Sequence, residues 1–220
     1  LDKDFPIAAS SKLTTCMLLD AYSQGIFPWS GPYQPILWWC PDPRMVLTCD
    51  NFRLSKSLKK KIKQEIKKGL TISVNNAFQE VIKCCAEPRK TENSTWITTD
   101  IIDTYTKLNK DGYAHSIEVW MNDSLVGGLY LVAIGSMVFG ESMFFRRTDS
   151  SKIALSSLIL WLKNNGGKII DCQQETQHLA NFGAYPISSI KFKEISSGLM
   201  KCNKLPWTKN PITEEIFNKQ

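Results

Sequence analysis

The sequence predicts an α+β protein: a small N-terminal lobe over residues 1–45, then a larger mixed domain over residues 46–220. Three patterns carry this expectation. Apolar residues fall at helical spacing in "RLSKSLKKKIKQEIKK" and "SSKIALSSLILWLKNN". From His115 to Phe145 the alternation changes to period two, the mark of a strand meander. The window "GIFPWSGPYQPILWWCPDPR", residues 25–44, fits neither pattern. Proline is excluded from helix interiors and central strands, and Trp29, Trp38 and Trp39 cannot all enter one small core. The window reads as a rigid, aromatic-rich surface wall, and such a wall implies something to hold.

The elements follow in order. Residues 12–24 read as a helix with Leu13, Met17, Leu18 and Tyr22 inward, ended by Gly25. "RMVLTC" reads as a strand after the tryptophan window. Residues 53–68 form an amphipathic helix: Leu54, Leu58, Ile62 and Ile66 make an apolar stripe, and Lys56, Lys60, Lys63 and Lys67 a basic one. Gly69 stops it. "LTISVN" is a strand, residues 76–86 a helix, and residues 98–110 another, capped by Thr98 or Thr99. "HSIEVWM", "LVGGLYLVAI" and "MVFGESMFF" make the meander, turning at "NDS" and at Gly135–Ser136. Residues 149–165 form a helix capped by Asp149 or Ser150. "KIIDCQ" is a short buried strand, "TQHLANFG" one or two helical turns, and "SIKFKEI" a strand. This order resembles the acyltransferase fold called GNAT, the acyl-CoA N-acyltransferase-like fold.

Composition narrows the function. The content of 43% hydrophobic and 22% charged residues is that of a globular chain. No apolar run is long enough to span a bilayer, and Asp2, Lys3 and Asp4 at the start make no secretion signal. Seven scattered cysteines without a CxxC pair argue for free thiols in a reducing cytoplasm. Two histidines without paired Cys/His spacing argue against structural zinc. The net charge of +6 concentrates in residues 53–68, which carry eight basic residues and one acid. Such a block suits an anionic partner. Nucleic acid is favoured over a membrane surface, because no bulky aromatic anchors the apolar stripe. Tryptophans 29, 38, 39 and 96 would supply stacking platforms for an unpaired base.

Three constellations could carry chemistry. Asp171 and Gln173 stand two apart on a strand and so share a face. A carboxylate beside a carboxamide can orient an amine and accept its proton; the plain alternative is a strand-end polar pair. Glu141, sharing a face with Met143, could be a buried acceptor for an amino group, or an edge acid paired to an arginine such as Arg146. "RRTDSSKIAL" sits where CoA-dependent members of the fold carry a glycine-rich pyrophosphate loop. No glycine occurs there, so CoA binding is unsupported and the turn reads as a helix cap.

Taken together, the residues resemble the leucyl/phenylalanyl-tRNA–protein transferase family. The resemblance rests on "GIFPW", "ILWWCPDPR", "STWIT", "GYAHSIEVW", "LVGGLYLVAIG", "FGESMF", "SKIAL", "GGKIIDCQ" and "HLANFGA", in family order from about residue 20 to 190. The chain departs from the family in lacking a glycine-rich segment ahead of the first helix and in Val138, at a position often aromatic. The resemblance implies transfer of leucine or phenylalanine, and less well methionine, from charged tRNA to proteins that begin with arginine or lysine. It implies a mark for degradation, no cofactor and no metal; a cytoplasmic monomer is expected. It implies that Trp29 and Trp96 line the site of the terminal adenosine and its aminoacyl ester, and that Asp171 draws a proton from the amine through Gln173. Glu141 would hold a substrate amine or ribose hydroxyl, or serve as part of an acidic recess for the acceptor. Leu129, Val138, Leu155, Leu158, Leu162 and Ile170 would line the donor's side-chain pocket, with Val138 favouring phenylalanine, and Lys56, Lys60 and Lys63 would meet tRNA phosphates. The alternative is a catalytically inactive RNA-binding module on the same fold.

Overall fold

The structure, a computed structural model, describes residues 5–31, 34–88 and 95–217. Pro32 and Tyr33 of the tryptophan window, Ser94 of "STWIT" and the first four residues lie outside the described residues.

The tryptophan window is a small sheet. β1 (Ala8–Ser10), β2 (Phe27–Pro28) and β3 (Ile36–Trp39) pair antiparallel with β3 in the centre. Between β1 and β2 runs α1 (Thr15–Ser23), capped by the Thr14 hydroxyl accepting from the Met17 N–H. Trp38 is buried and donates to Ser10 Oγ. Trp39 donates to the Trp29 carbonyl, and the Trp29 and Trp39 rings lie 5.6 Å apart. Trp29 itself stays 41% exposed.

The large sheet begins with β4 (Arg44–Thr48). Then follow α2 (Lys56–Ile66), capped by Ser55, β5 (Leu70–Val74), α3 (Phe78–Cys85) and α4 (Thr99–Lys110), capped by Thr98. The meander is β6 (Ala114–Met121), β7 (Ser124–Ile134) and β8 (Met137–Phe145). Asn122 and Asp123 both take positive φ in the first turn, as a tight hairpin requires. Gly135 makes the second turn at φ +59°, where a side chain would also strike the Met200 carbonyl. α5 (Ser150–Asn164) crosses back to β9 (Ile169–Gln173), which lies parallel to β8. α6 (Gln177–Ala180), β10 (Tyr185–Ile187), α7 (Ser189–Met200), β11 (Asn210–Pro211) and α8 (Thr213–Phe217) complete the chain. The strand order is β10-β4-β9-β8-β7-β6-β5-β11. Meander, crossover helix and parallel strand are the arrangement expected of the acyltransferase-like fold.

Alternation along the strands sends side chains to two cores. On β7, Leu129, Leu131 and Ala133 join α2, α5 and α8 on one face. Tyr130 and Val132 join α1, α3, α4 and α7 on the other. Among the described residues no helix is long and apolar enough to cross a membrane, and none of the seven cysteines forms a disulfide.

Two expectations need correction. "SIKFKEI" is the first half of α7, not a strand: Ser188 caps the helix, Phe192 and Ser196 face inward at helical spacing, and Ile190 is 72% exposed. Asp149 does hold the N-cap position of α5, with its carbonyl accepting the Ile153 N–H, but neither Asp149 nor Ser150 caps the helix through its side chain. Asp149 sits at φ 67° with its carboxylate on Lys61 and Lys152, and the Ser150 hydroxyl donates to the Val126 and Arg147 carbonyls.

Candidate active site

The site forms where β8 and β9 part. Their pairing consists of Val138 with Ile170 and Phe139 with Asp171. Beyond it, a bulge on β8 sets Leu131 opposite Gly140 and Tyr130 opposite Ser142, leaving Glu141 out of the ladder. A bulge re-aims the extra side chain, which overrides the simple alternation of Glu141 with Met143. On the other strand Gln173 takes φ 62°, a left-handed conformation that glutamine rarely adopts. The two strands therefore turn Glu141 and Gln173 toward each other, and the Gln173 Nε2 donates to Glu141 Oε1 at 3.2 Å.

Asp171 is fully buried beneath them. Arg44, only 1% exposed, grips it with two bonds, Nε to Oδ1 at 2.8 Å and Nη2 to Oδ2 at 2.6 Å. The third guanidinium nitrogen donates to the Gly25 carbonyl at 3.0 Å. The Phe27 and Phe192 rings each lie 4.7 Å from the guanidinium carbon. Burial alone would lower the Arg44 pKa, but the Asp171 charge and its hydrogen bonds more than offset that and hold the cation. Asp171 Oδ1 also accepts the Gln173 backbone N–H at 2.9 Å. The carboxylate thus reaches Gln173 through its main chain, and the carboxamide turns to Glu141.

Glu141 belongs to a closed ring. The Tyr22 hydroxyl lies 2.6 Å from the Tyr105 hydroxyl and 2.7 Å from Glu141 Oε1, and the Tyr105 hydroxyl lies 3.2 Å from Glu141 Oε2. Burial pushes the pKa values of both tyrosines well above the ordinary range, so both hydroxyls keep their protons. Tyr22 donates to Glu141 Oε1 and Tyr105 donates to Oε2. Burial is the main force raising the Glu141 pKa, to about 8; the tyrosine bonds and Arg44 pull down, and Asp171 pushes up. The net shift favours the protonated carboxyl at neutral pH. Arg146, its alternative partner from sequence, pairs with Glu87.

A cavity of about 100 Å³ opens beside this group. Leu129, Leu155, Leu158, Ile170, Met143 and Leu179 supply apolar walls; Glu141, Asp171 and Gln173 supply the polar end. Val138 and Leu162 are not among its walls: both are fully buried in the core, Val138 in the paired stretch below the parting and Leu162 a turn beyond Leu158. Met143 and Leu179 were missed because the β8 bulge and the placement of α6 are long-range features. Trp29 and Trp96, exposed and half-buried respectively, do not line the cavity either. Lys56, Lys60 and Lys63 on one face of α2, and Lys67 just past its end, all stand exposed, and none is in an ion pair among the described residues. Among the described residues no cluster of three His, Cys, Asp or Glu side chains is set to hold a metal ion.

Arg44 is the residue that sequence reasoning passed over. The available signal was an aspartate inside the apolar strand "KIIDCQ", since a buried carboxylate needs a cation.

Comparison with known proteins gives the chain its family. A model described as leucyl/phenylalanyl-tRNA protein transferase matches residues 46–197, and one for the N-terminal domain of the same proteins matches residues 11–42. The leucyl/phenylalanyl-tRNA–protein transferase of Janthinobacterium sp. (strain Marseille) is 52% identical over 84% of this chain and 79% of its own length. That of Burkholderia multivorans is 46% identical over 91% of this chain and 80% of its own. Among solved structures, FemX overlays with a TM-score of 0.48 at 12% identity, covering 78% of this chain and 66% of that one. The chain belongs to the leucyl/phenylalanyl-tRNA–protein transferase family of aminoacyltransferases.

Proposed function

We propose that the chain moves leucine or phenylalanine, and less well methionine, from charged tRNA to the α-amino group of proteins beginning with arginine or lysine. The new N-terminus would mark the product for degradation, in the cytoplasm where charged tRNA is made. A monomer suffices, because the groups invoked come from one chain. The observation that carries the reading is the polar group Arg44–Asp171–Gln173–Glu141 at the end of an apolar cavity.

The reaction needs orientation more than a base. An α-amino group has a pKa of about 8, so much of it is near its free form, and an ester is an activated acyl donor. Holding the partners in line can contribute up to about 7–11 kcal/mol. In this reading the donor's side chain lies against Leu129, Leu155, Leu158 and Ile170. Gln173 uses one amide N–H on Glu141 and keeps the other N–H and its oxygen for substrate. The second N–H donates to the ester oxygen as negative charge develops, and the amide oxygen accepts from the attacking amine. The new C–N bond forms, the ester C–O bond breaks, and the amine proton leaves on the ribose hydroxyl. Asp171 is an anchor: Arg44 and the Gln173 N–H occupy its oxygens and fix Gln173 in its left-handed conformation. The small lobe over residues 1–45, with Trp29 and with Trp96 from the larger domain, would receive the terminal adenosine. Lys56, Lys60 and Lys63 would meet the tRNA backbone without reading sequence.

The test follows leucine label from leucyl-tRNA into a protein beginning with arginine. Transfer supports the reading. Intact tRNA binding with no transfer from leucyl-, phenylalanyl- or methionyl-tRNA would favour the inactive RNA-binding module.

A further inference from the structure

A second cavity, of about 320 Å³, lies between the start of α2, the turn before α5, and α6. Arg53 and Lys61 line it from the α2 side, Asp149 and Lys152 from the α5 side, and His178 from α6. Three cations face one carboxylate, a surplus of two positive charges. Asp149 accepts from Lys61 at 2.6 Å and from Lys152 at 2.8 Å. Among the described residues Arg53 has no ion-pair partner. The Ser57 side chain adds a hydroxyl. Burial, then the Lys152 charge, lower the His178 pKa, so its ring is neutral at pH 7 and offers a hydrogen bond without repelling the lysines. Cations, a hydroxyl and a neutral imidazole around one opening suit a phosphate group.

The position says whose phosphate. Ser57 and Lys61 lie on α2 beside its exposed row Lys56, Lys60 and Lys63. Both neighbouring helices are shared with the acyl cavity: Leu155 of α5 and Leu179 of α6 line that cavity, while Lys152 and His178 line this one. Lys152 and Leu155 are three residues apart, about 4.5 Å along the helix. We propose that this cavity is an anion site that takes one phosphate group of an RNA strand, with Asp149 holding Lys61 and Lys152 in place until the phosphate arrives. The assignment to RNA rests on the proposed aminoacyl-tRNA reading.

Asp149 makes the proposal directional. A resident carboxylate competes with the incoming phosphate for the same two lysines, so removing its charge must strengthen binding. Asparagine tolerates the left-handed conformation found there, so Asp149→Asn keeps the turn. The full chain would be titrated with unacylated tRNA at several salt concentrations. Asp149→Asn should tighten binding at least about threefold. Lys61→Gln and Lys152→Gln should each weaken it roughly three- to tenfold and lower the salt slope by about 0.7–0.9. Lys110→Gln, an equal loss of charge on α4 across the sheet, should change neither. Thermal midpoints with inorganic phosphate give a second arm. Protection that follows the same variants while tRNA affinity does not would make this a free-phosphate site and overturn the RNA assignment. Unchanged binding in Asp149→Asn, or Lys110→Gln as harmful as Lys152→Gln, would overturn the site. A wild type that transfers no leucine but shows the predicted tRNA pattern would sink the proposed activity and leave the anion site standing.

Discussion

Arg44→Met tests the buried pair. The substitution removes the two bonds to Asp171 and the one to Gly25, and it leaves a fully buried carboxylate with the Gln173 N–H but no cation. Methionine fills the aliphatic space between Phe27 and Phe192, so the loss is mainly electrostatic. Breaking a buried pair from one side costs about 3–5 kcal/mol, because the surviving charge stays desolvated. For a chain of this length that lowers the thermal midpoint by roughly 6–20 °C. Asp171→Asn alone should be similarly costly, since it strands the cation. The double variant should be less damaging than the sum of the two by at least about 2 kcal/mol. Urea unfolding of all four proteins measures the cycle. A loss below about 1 kcal/mol in Arg44→Met, or losses that simply add, would refute the claim that the pair is one unit.

Glu141 should make stability depend on pH. Its folded pKa, about 8, is raised above the ordinary value of 4.5. The bound proton therefore stabilises the fold fully below 4.5, and that contribution is lost as pH rises through 8. Urea unfolding of the wild type should lose on the order of 1–2 kcal/mol between pH 6 and 8 relative to Glu141→Gln, which is neutral throughout; parallel curves would contradict it. Lys56→Glu with Lys60→Glu should raise the KM for charged tRNA and flatten its salt slope by about 1–2, read from initial rates at several salt concentrations; an unchanged slope would mean that this face of α2 meets no phosphate. Leu158→Ala should cost about 2–5 kcal/mol. It should also raise phenylalanine over leucine transfer by up to roughly tenfold, measured with both charged tRNAs in competition.

The helices and the meander were legible because their periods are local. Leu58 and Ile62 on α2, and the alternation around Leu129–Val132 on β7, state their faces within a few residues. α7 misled because Ile190 and Phe192 alternate like a strand, while the helical spacing of Phe192 and Ser196 emerges only over the longer stretch. The pairing of Arg44 with Asp171 spans 127 positions, and no spacing rule reaches that far. Asp171, Gln173 and Glu141 could be picked out as residue types, but their geometry could not. The β8 bulge and the left-handed Gln173 decide it, and both arise from how two distant strands part. Val138 shows the converse: resemblance implies a place in the pocket, while the two pairs that close β8 onto β9 set it below the cavity seen here.

The central claim is that the Gln173 carboxamide, fixed from below by Asp171 and from the side by Glu141, orients the amine and stabilises the developing oxyanion. Single-turnover transfer of leucine by Gln173→Ala tests it most directly, with tRNA affinity and thermal midpoint measured on the same protein. Loss of a donor of this kind predicts a rate lower by about 10²–10³, with tRNA affinity unchanged and the fold intact. A rate within threefold of the wild type would contradict the claim.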